Sequence, residues 1–148
     1  MYYYKDKTRF LPDMFITGCP QFLHNPVEYD CQMVKTLKSF GGVPFCLTNV
    51  PQTMFSLQCS NPAFGATGNA LDPERECGGS SGGEGSLLGS GGSILGIGND
   101  TAGSVRNPAI FNGIYSLKPT HGRHLSQEGV IIELMDCLKS FPKRHTMQ

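Results

Sequence analysis

The sequence has no C-x-x-C pair, no cluster of histidines, no long apolar run and no net charge, and each absence removes a class of function. Its six cysteines, Cys19, Cys31, Cys46, Cys59, Cys77 and Cys137, stand apart from one another and from the four histidines, so nothing offers the ligand spacing of a metal site. Only their even number favours a disulfide framework. They read as reduced thiols, which predicts an intracellular chain, cytoplasmic or peripheral to a membrane. No stretch approaches the roughly 18 apolar residues of a membrane-spanning helix. The aromatic, charged start MYYYKDKTRF also lacks the apolar centre of a signal peptide. Membrane association therefore has no visible transmembrane segment behind it. Twelve Lys and Arg balance twelve Asp and Glu, which leaves no electrostatic footprint for a nucleic acid.

What is present is enough for one modest core: 148 residues, 39% of them hydrophobic. Asn25-Pro26 or Asp30 can start a helix that places Met33, Val34, Leu37 and Phe40 at helical spacing and stops at Gly41. The apolar run GVPFCL at 42–47 has the length of a buried strand and leads into a long loop, TNVPQTMFSLQCSNPAFG, at 48–65. A short helix near 84–90, a strand near 94–98 and a strand near 113–117 continue an alternating α/β pattern. At the end, Ile131, Leu134, Met135 and Leu138 space as one face of a helix that stops before Pro142.

The densest information lies in residues 77–106, CGGSSGGEGSLLGSGGSILGIGNDTAGSVR, where 11 of the 26 positions from 78 to 103 are glycine. Composition alone suggests a flexible linker. Leu87, Leu88, Ile94, Leu95, Ile97 and Val105 are spread through the stretch, however, and a solvated linker has nothing for such residues to pack against. Glycine at this density serves close backbone approach and positive φ, which is how N–H groups are made available to an oxyanion or a phosphate. The phosphate reading fails in detail. No Lys-Ser/Thr follows the glycines as in a P-loop, and GIGNDTAG is not a dinucleotide fingerprint. No cofactor is implied.

Three ordered blocks, GGSSGG at 78–83, DTAGSVRNP at 100–108 and GIYSLKPT at 113–120, make the chain resemble the amidase signature family of serine hydrolases. Glu84-Gly85 after the first block, together with the 48–65 loop, is similar to the fatty acid amide branch of that family. The resemblance implies an α/β fold, a mixed sheet core with flanking helices, here incomplete. It also implies a Ser-Ser-Lys triad in which Ser104 matches the nucleophile and Ser80 the bridging serine. Extending the alignment without gaps puts the lysine at Lys5, where only the Lys5-Asp6 pair of the family's segment is kept. The other reading of Lys5 is a solvated terminal lysine. Lys7 falls two residues off, and Lys35 and Lys38 fall on the first helix.

Amide chemistry explains why these residue types are needed. A serine hydroxyl attacks only when a base takes its proton, and an amine leaves only when an acid supplies one. A lysine serves both steps if burial or a cationic neighbour brings it from about 10.4 toward roughly 7 to 8, so Lys5 must be buried to act. The resemblance assigns the oxyanion hole to the N–H groups of Thr101, Ala102, Gly103 and Ser104. Ala102 stands where the family has a first glycine; its Cβ is harmless at negative φ and costs roughly 1 kcal/mol or more at positive φ. Asp100 and Arg106 flank the loop as the family's structural ion pair. Met54 and Phe55 match positions lining an acyl channel, and an ordinary buried core is the alternative for such a pair.

The resemblance covers residues 5–129, predicting a partial amidase signature domain over 1–129 and a non-family extension, helical by its spacing, over 130–148. Members of the family are several hundred residues long, so a sheet shortened on both sides is expected to show unpaired edges and apolar faces. The implied substrate is a lipid amide, either a fatty acid primary amide or an N-acylethanolamine. The competing readings are an inactive fragment that works only by self-association or by pairing with a longer homologue, and an amidase of another branch acting on short or aminoacyl amides.

Overall fold

The computed structural model describes residues 2–3, 17–22, 30, 32–120 and 136–139. Helix α1 (Gln32–Ser39) follows the predicted periodicity: Val34 is buried, Met33 and Leu37 are half-buried, and Phe40 beyond its end is exposed. It stops as expected, because Gly41 turns to a φ of +82° and the Gly42 N–H caps the Leu37 carbonyl at 2.9 Å. The predicted strand at 42–47 narrows to β2 (Cys46–Leu47), paired antiparallel with β1 (Tyr2–Tyr3). The long loop that follows contains one hairpin, β3 (Ser60–Asn61) with β4 (Gly65–Ala66). Asn61 shapes it, since its side-chain oxygen accepts the N–H groups of Ala63 and Phe64 while its amide donates to Asn49 Oδ1 and the Val50 carbonyl.

The glycine-dense stretch is not a linker. It folds as helix α2 (Gly82–Gly89), strand β5 (Leu95–Gly98) and a loop into helix α3 (Arg106–Phe111), followed by β6 (Tyr115–Leu117). Sequence periodicity does not reveal α3, which is short and carries Pro108 as its third residue. Proline is harmless there because the first turn has no intrahelical acceptor for that N–H. Leu88 of α2 packs with Val105 and Ala109, all at most 2% exposed, and Ile114 closes the cluster. The glycine-dense residues thus enclose the core with their few large side chains.

The predicted C-terminal helix is corrected. Its described residues form β7 (Asp136–Lys139), which lies between β5 and β6 and is antiparallel to both, with Gly98 opposite Asp136 and Leu117 opposite Cys137. Lying there, the segment satisfies backbone groups along two strands that would otherwise face each other unpaired, which outweighs its local helical spacing. β5 and β6 consequently run parallel, with α3 as their crossover. As expected, apolar side chains remain outside this sheet: Ile94, Ile110 and Leu117 are all more than 60% exposed.

Two polar side chains, one buried and one half-buried, fasten the layers. Asn112, 2% exposed, donates to the carbonyls of Cys77 and Pro108, each at 2.8 Å, and accepts the Ala70 N–H at 2.9 Å. Glu84 accepts the Thr48 hydroxyl at 2.7 Å and the Ile97 N–H at 3.2 Å, tying α2 to β5 and to the long loop. Burial pushes its carboxyl up from the ordinary value, against those two hydrogen bonds. Among the described residues no helix is long and apolar enough to cross a membrane.

Candidate active site

Ser80 sits in the turn between Cys77 and α2, and Ser104 in the turn between β5 and α3. The structure brings these turns together. The Ser81 N–H donates to the Ser104 carbonyl at 3.0 Å, and the Ser81 hydroxyl bridges Asn99, accepting its N–H at 3.2 Å and donating to its carbonyl at 3.4 Å. Sequence reasoning passed over Ser81 and Asn99; the doubled serine in GGSSGG was the available signal. The Gly79–Ser80 peptide is cis. Gly79 has no room for a side chain, because a Cβ there would meet the Ser56 carbonyl oxygen at 2.7 Å, so residues 56–57 lie directly on the serine turn.

Ser80 is 3% exposed, yet its hydroxyl has no hydrogen-bond partner among the described residues. Ser104 is half-buried, and its hydroxyl is likewise unpartnered among the described residues. Lys5, the predicted third member, lies outside the described residues.

Asp100 organises the turn that carries Ser104. Its carboxylate is fully buried and accepts five hydrogen bonds. Oδ1 takes the Gly103 N–H at 2.6 Å and Arg106 Nη2 at 2.9 Å; Oδ2 takes the N–H groups of Val105 and Arg106 at 3.1 and 3.2 Å and Arg106 Nε at 2.9 Å. Burial alone would raise this carboxyl, but the Arg106 guanidinium and the three N–H groups prevail and hold it well below the usual carboxylate range. The expected ion pair is therefore present, and it does more than neutralise charge, because it fixes the backbone on both sides of Ser104.

This network corrects one predicted donor. The Gly103 N–H is engaged by Asp100, so it is not available to an oxyanion in this arrangement, whereas those of Thr101, Ala102 and Ser104 have no partner among the described residues. The backbone also resolves the alanine at 102. Positive φ falls on Gly103, at +122°, and not on Ala102, whose Cβ therefore carries no conformational cost.

Met54 and Phe55 end the turn Gln52–Met54, where Thr53 and Met54 both adopt left-handed backbone, with φ of 61° and 58°. Two consecutive non-glycine residues in that region are held by the Thr53 N–H on the Thr17 carbonyl and the Met54 N–H on the Pro51 carbonyl. Phe55 is 94% exposed, which excludes the buried-core reading for it, and Met54 is half-buried. The pair sits immediately before the 56–57 segment that covers the serine turn.

Comparison with known proteins identifies the family and the fold. A sequence model of the family described as Amidase matches residues 8–143. Fatty acid amide hydrolase 1 of Caenorhabditis elegans is 49% identical over 112 residues, covering 76% of this chain and 20% of the relative. Fatty-acid amide hydrolase 1 of Sus scrofa is 53% identical over 105 residues, covering 71% of this chain and 18% of that protein. The solved structure titled fatty acid amide hydrolase superposes with a TM-score of 0.77 at 26% identity, over 89% of this chain and 25% of the other. The chain thus spans about a fifth to a quarter of the length of the proteins it matches.

Proposed function

Because the chain belongs to the amidase family and carries part of its α/β signature fold, we propose that it hydrolyses fatty acid amides, primary amides or N-acylethanolamines, through an acyl-enzyme formed on Ser104. In this reading Ser80 relays a proton between Ser104 and Lys5. The lysine, neutral at the outset, takes the proton of the attacking hydroxyl and returns it to the departing amine. The N–H groups of Thr101, Ala102 and Ser104 receive the oxyanion, each donor contributing on the order of 3 kcal/mol to the transition state. Met54 and Phe55 accept the acyl chain beside the serine turn. The observation that carries the reading is the buried Ser80, its hydroxyl unpartnered among the described residues, in a turn hydrogen-bonded to the Ser104 turn. A cytoplasmic or membrane-peripheral location, with a lipid amide as the substrate, belongs to the same proposal.

A fluorophosphonate probe tests it. Labelling of the full chain that disappears in Ser104→Ala and falls sharply in Ser80→Ala and Lys5→Ala supports the triad; a folded chain that takes no label refutes it. Protection by long-chain but not short-chain amides supports the lipid substrate, and the reverse pattern assigns another amidase branch. The exposed Ile94, Ile110 and Leu117 favour a second reading, in which the chain acts only when paired with itself or with a longer relative. Label that grows with chain concentration, or only on mixing with such a relative, distinguishes that case.

A further inference from the structure

Cys59 precedes β3 and Cys77 precedes the serine turn; both are free thiols, 1% and 0% exposed. Their sulfurs converge on Gly82, the first residue of α2. A side-chain carbon built there would lie 2.9 Å from Cys59 Sγ and 2.7 Å from Cys77 Sγ, so glycine is what leaves room for the two sulfurs to meet. In that space each thiol donates to a backbone carbonyl, Cys59 to Asn49 at 3.2 Å and Cys77 to Gly78 at 3.3 Å, and the Gly83 N–H at the start of α2 donates to the same Asn49 carbonyl at 3.0 Å. The Cys59 sulfur thus lies against a second thiol at the first turn of α2, where a thiolate is favoured. The neighbouring Cys77 thiol lowers the Cys59 thiol against the opposing effect of burial, while Cys77, beside that sulfur and buried, is pushed up.

We propose that Cys59 and Cys77 form a peroxide-reactive dithiol that closes to a disulfide, fastening the loop that carries Met54 and Phe55 to the segment that leads into Ser80. The Cys59 thiolate attacks one oxygen of hydrogen peroxide, the O–O bond breaks, and the departing hydroxide leaves as water, which converts Cys59 to a sulfenic acid. The Cys77 sulfur then attacks the Cys59 sulfur; its proton accompanies the displaced hydroxide as a second water, and the S–S bond forms. Two thiols are oxidised by two electrons and one peroxide is reduced to two waters. Cys19 lies apart from this pair, its thiol on the Thr17 carbonyl, and burial pushes the Cys46 thiol up, so neither shares the stabilising surroundings. The inference stands independently of amide hydrolysis.

Peptide mapping of the full chain tests it. The chain is reduced, freed of reductant, treated with hydrogen peroxide, alkylated, digested without reduction and analysed by mass spectrometry. The expected result is a peptide pair joined through Cys59 and Cys77, two hydrogens lighter than its parts and released by dithiothreitol, while Cys19 and Cys46 still take the alkylating agent. In Cys77→Ser, Cys59 should accumulate as sulfenic acid trapped by dimedone, severalfold above the level in the unaltered chain. Absence of the joined peptide at peroxide doses that oxidise Cys19 or Cys46, or joining of Cys59 to a different cysteine, overturns the proposal. That readout uses the unaltered chain and does not depend on the variant folding.

Discussion

Asp100→Asn changes one atom of the site and removes two of the five hydrogen bonds that the side chain accepts. A carboxylate offers two acceptor oxygens; the amide offers one. The better orientation keeps the carbonyl on the Val105 N–H, the Arg106 N–H and Arg106 Nε, and turns the amide NH2 toward the Gly103 N–H and Arg106 Nη2, where donors meet donors. Each lost bond to a charged group is worth roughly 1.5–3 kcal/mol. The Arg106 side chain is 50% exposed and recovers part of its loss in water, so the Gly103 N–H is the group left stranded. The expected destabilisation is about 3 kcal/mol. Urea unfolding followed by far-UV circular dichroism measures it, since the chain has no tryptophan for fluorescence. The gap also has a pH signature. Asp100 titrates below its unfolded-state value of about 3.9, so its contribution is complete above that pH and fades as the pH falls toward the depressed folded-state value; the difference between the two chains should narrow on acidification. In the labelling assay, a Ser104 turn released by about 1 Å should react on the order of 100-fold more slowly. A destabilisation below about 1 kcal/mol, constant with pH, would refute the account of Asp100 as the organiser of this turn.

Gly103→Ala should cost roughly 1–3 kcal/mol, because φ of +122° is glycine territory, although no neighbour lies within 4 Å of the added Cβ. Ala102→Gly should cost about 0.4–1 kcal/mol through the unfolded chain, and a stabilising Ala102→Gly in the same urea series would mean that the positive φ lies at 102. Glu84→Gln should flatten the dependence of stability on pH. Burial raises the Glu84 carboxyl, so the unfolded chain releases this proton first, and stability is full below about pH 4.3 and declines as the pH rises toward the folded-state value. Unfolding midpoints of the two chains measured at several pH values should diverge in favour of the amide variant toward neutrality; parallel curves would show that the carboxyl is not buried in the folded chain.

Much of the site was legible because its signals are local. GGSSGG and DTAGSVRNP announce turns whose backbone serves chemistry, and both serines stand in adjoining turns. The Asp100–Arg106 pair could be anticipated from opposite charges in an apolar stretch. Its five hydrogen bonds, and the diversion of the Gly103 N–H that follows, could not, because they depend on how the turn closes. The spacing of Ile131, Leu134, Met135 and Leu138 favoured a helix, yet residues 136–139 pair with two strands far back in the sequence, and local periodicity carries no record of such partners. Helix α3 escaped for the opposite reason: at six residues it is too short to show a period. Ser81 and Asn99 act through one hydroxyl lying against one peptide unit, an arrangement with no compositional trace.

Asn112 joins Cys77, Pro108 and Ala70, and it is followed by Gly113, which gives it a chemical lifetime as well as a structural one. In an Asn-Gly pair the following backbone nitrogen reaches the side-chain amide with little hindrance and expels ammonia, leaving aspartate or isoaspartate. Folded, the Asn112 amide is occupied by two carbonyls and the Gly113 N–H by the Ile110 carbonyl at 3.3 Å, so the reaction is held off. Once the chain opens nothing restrains it, and the product cannot return to its place, because a carboxylate would face the Cys77 and Pro108 carbonyls with no proton to offer. Repeated heating should therefore build up a population altered at position 112, visible as isoaspartate by peptide mapping, and each opening of the fold leaves a fraction of molecules that no longer refold.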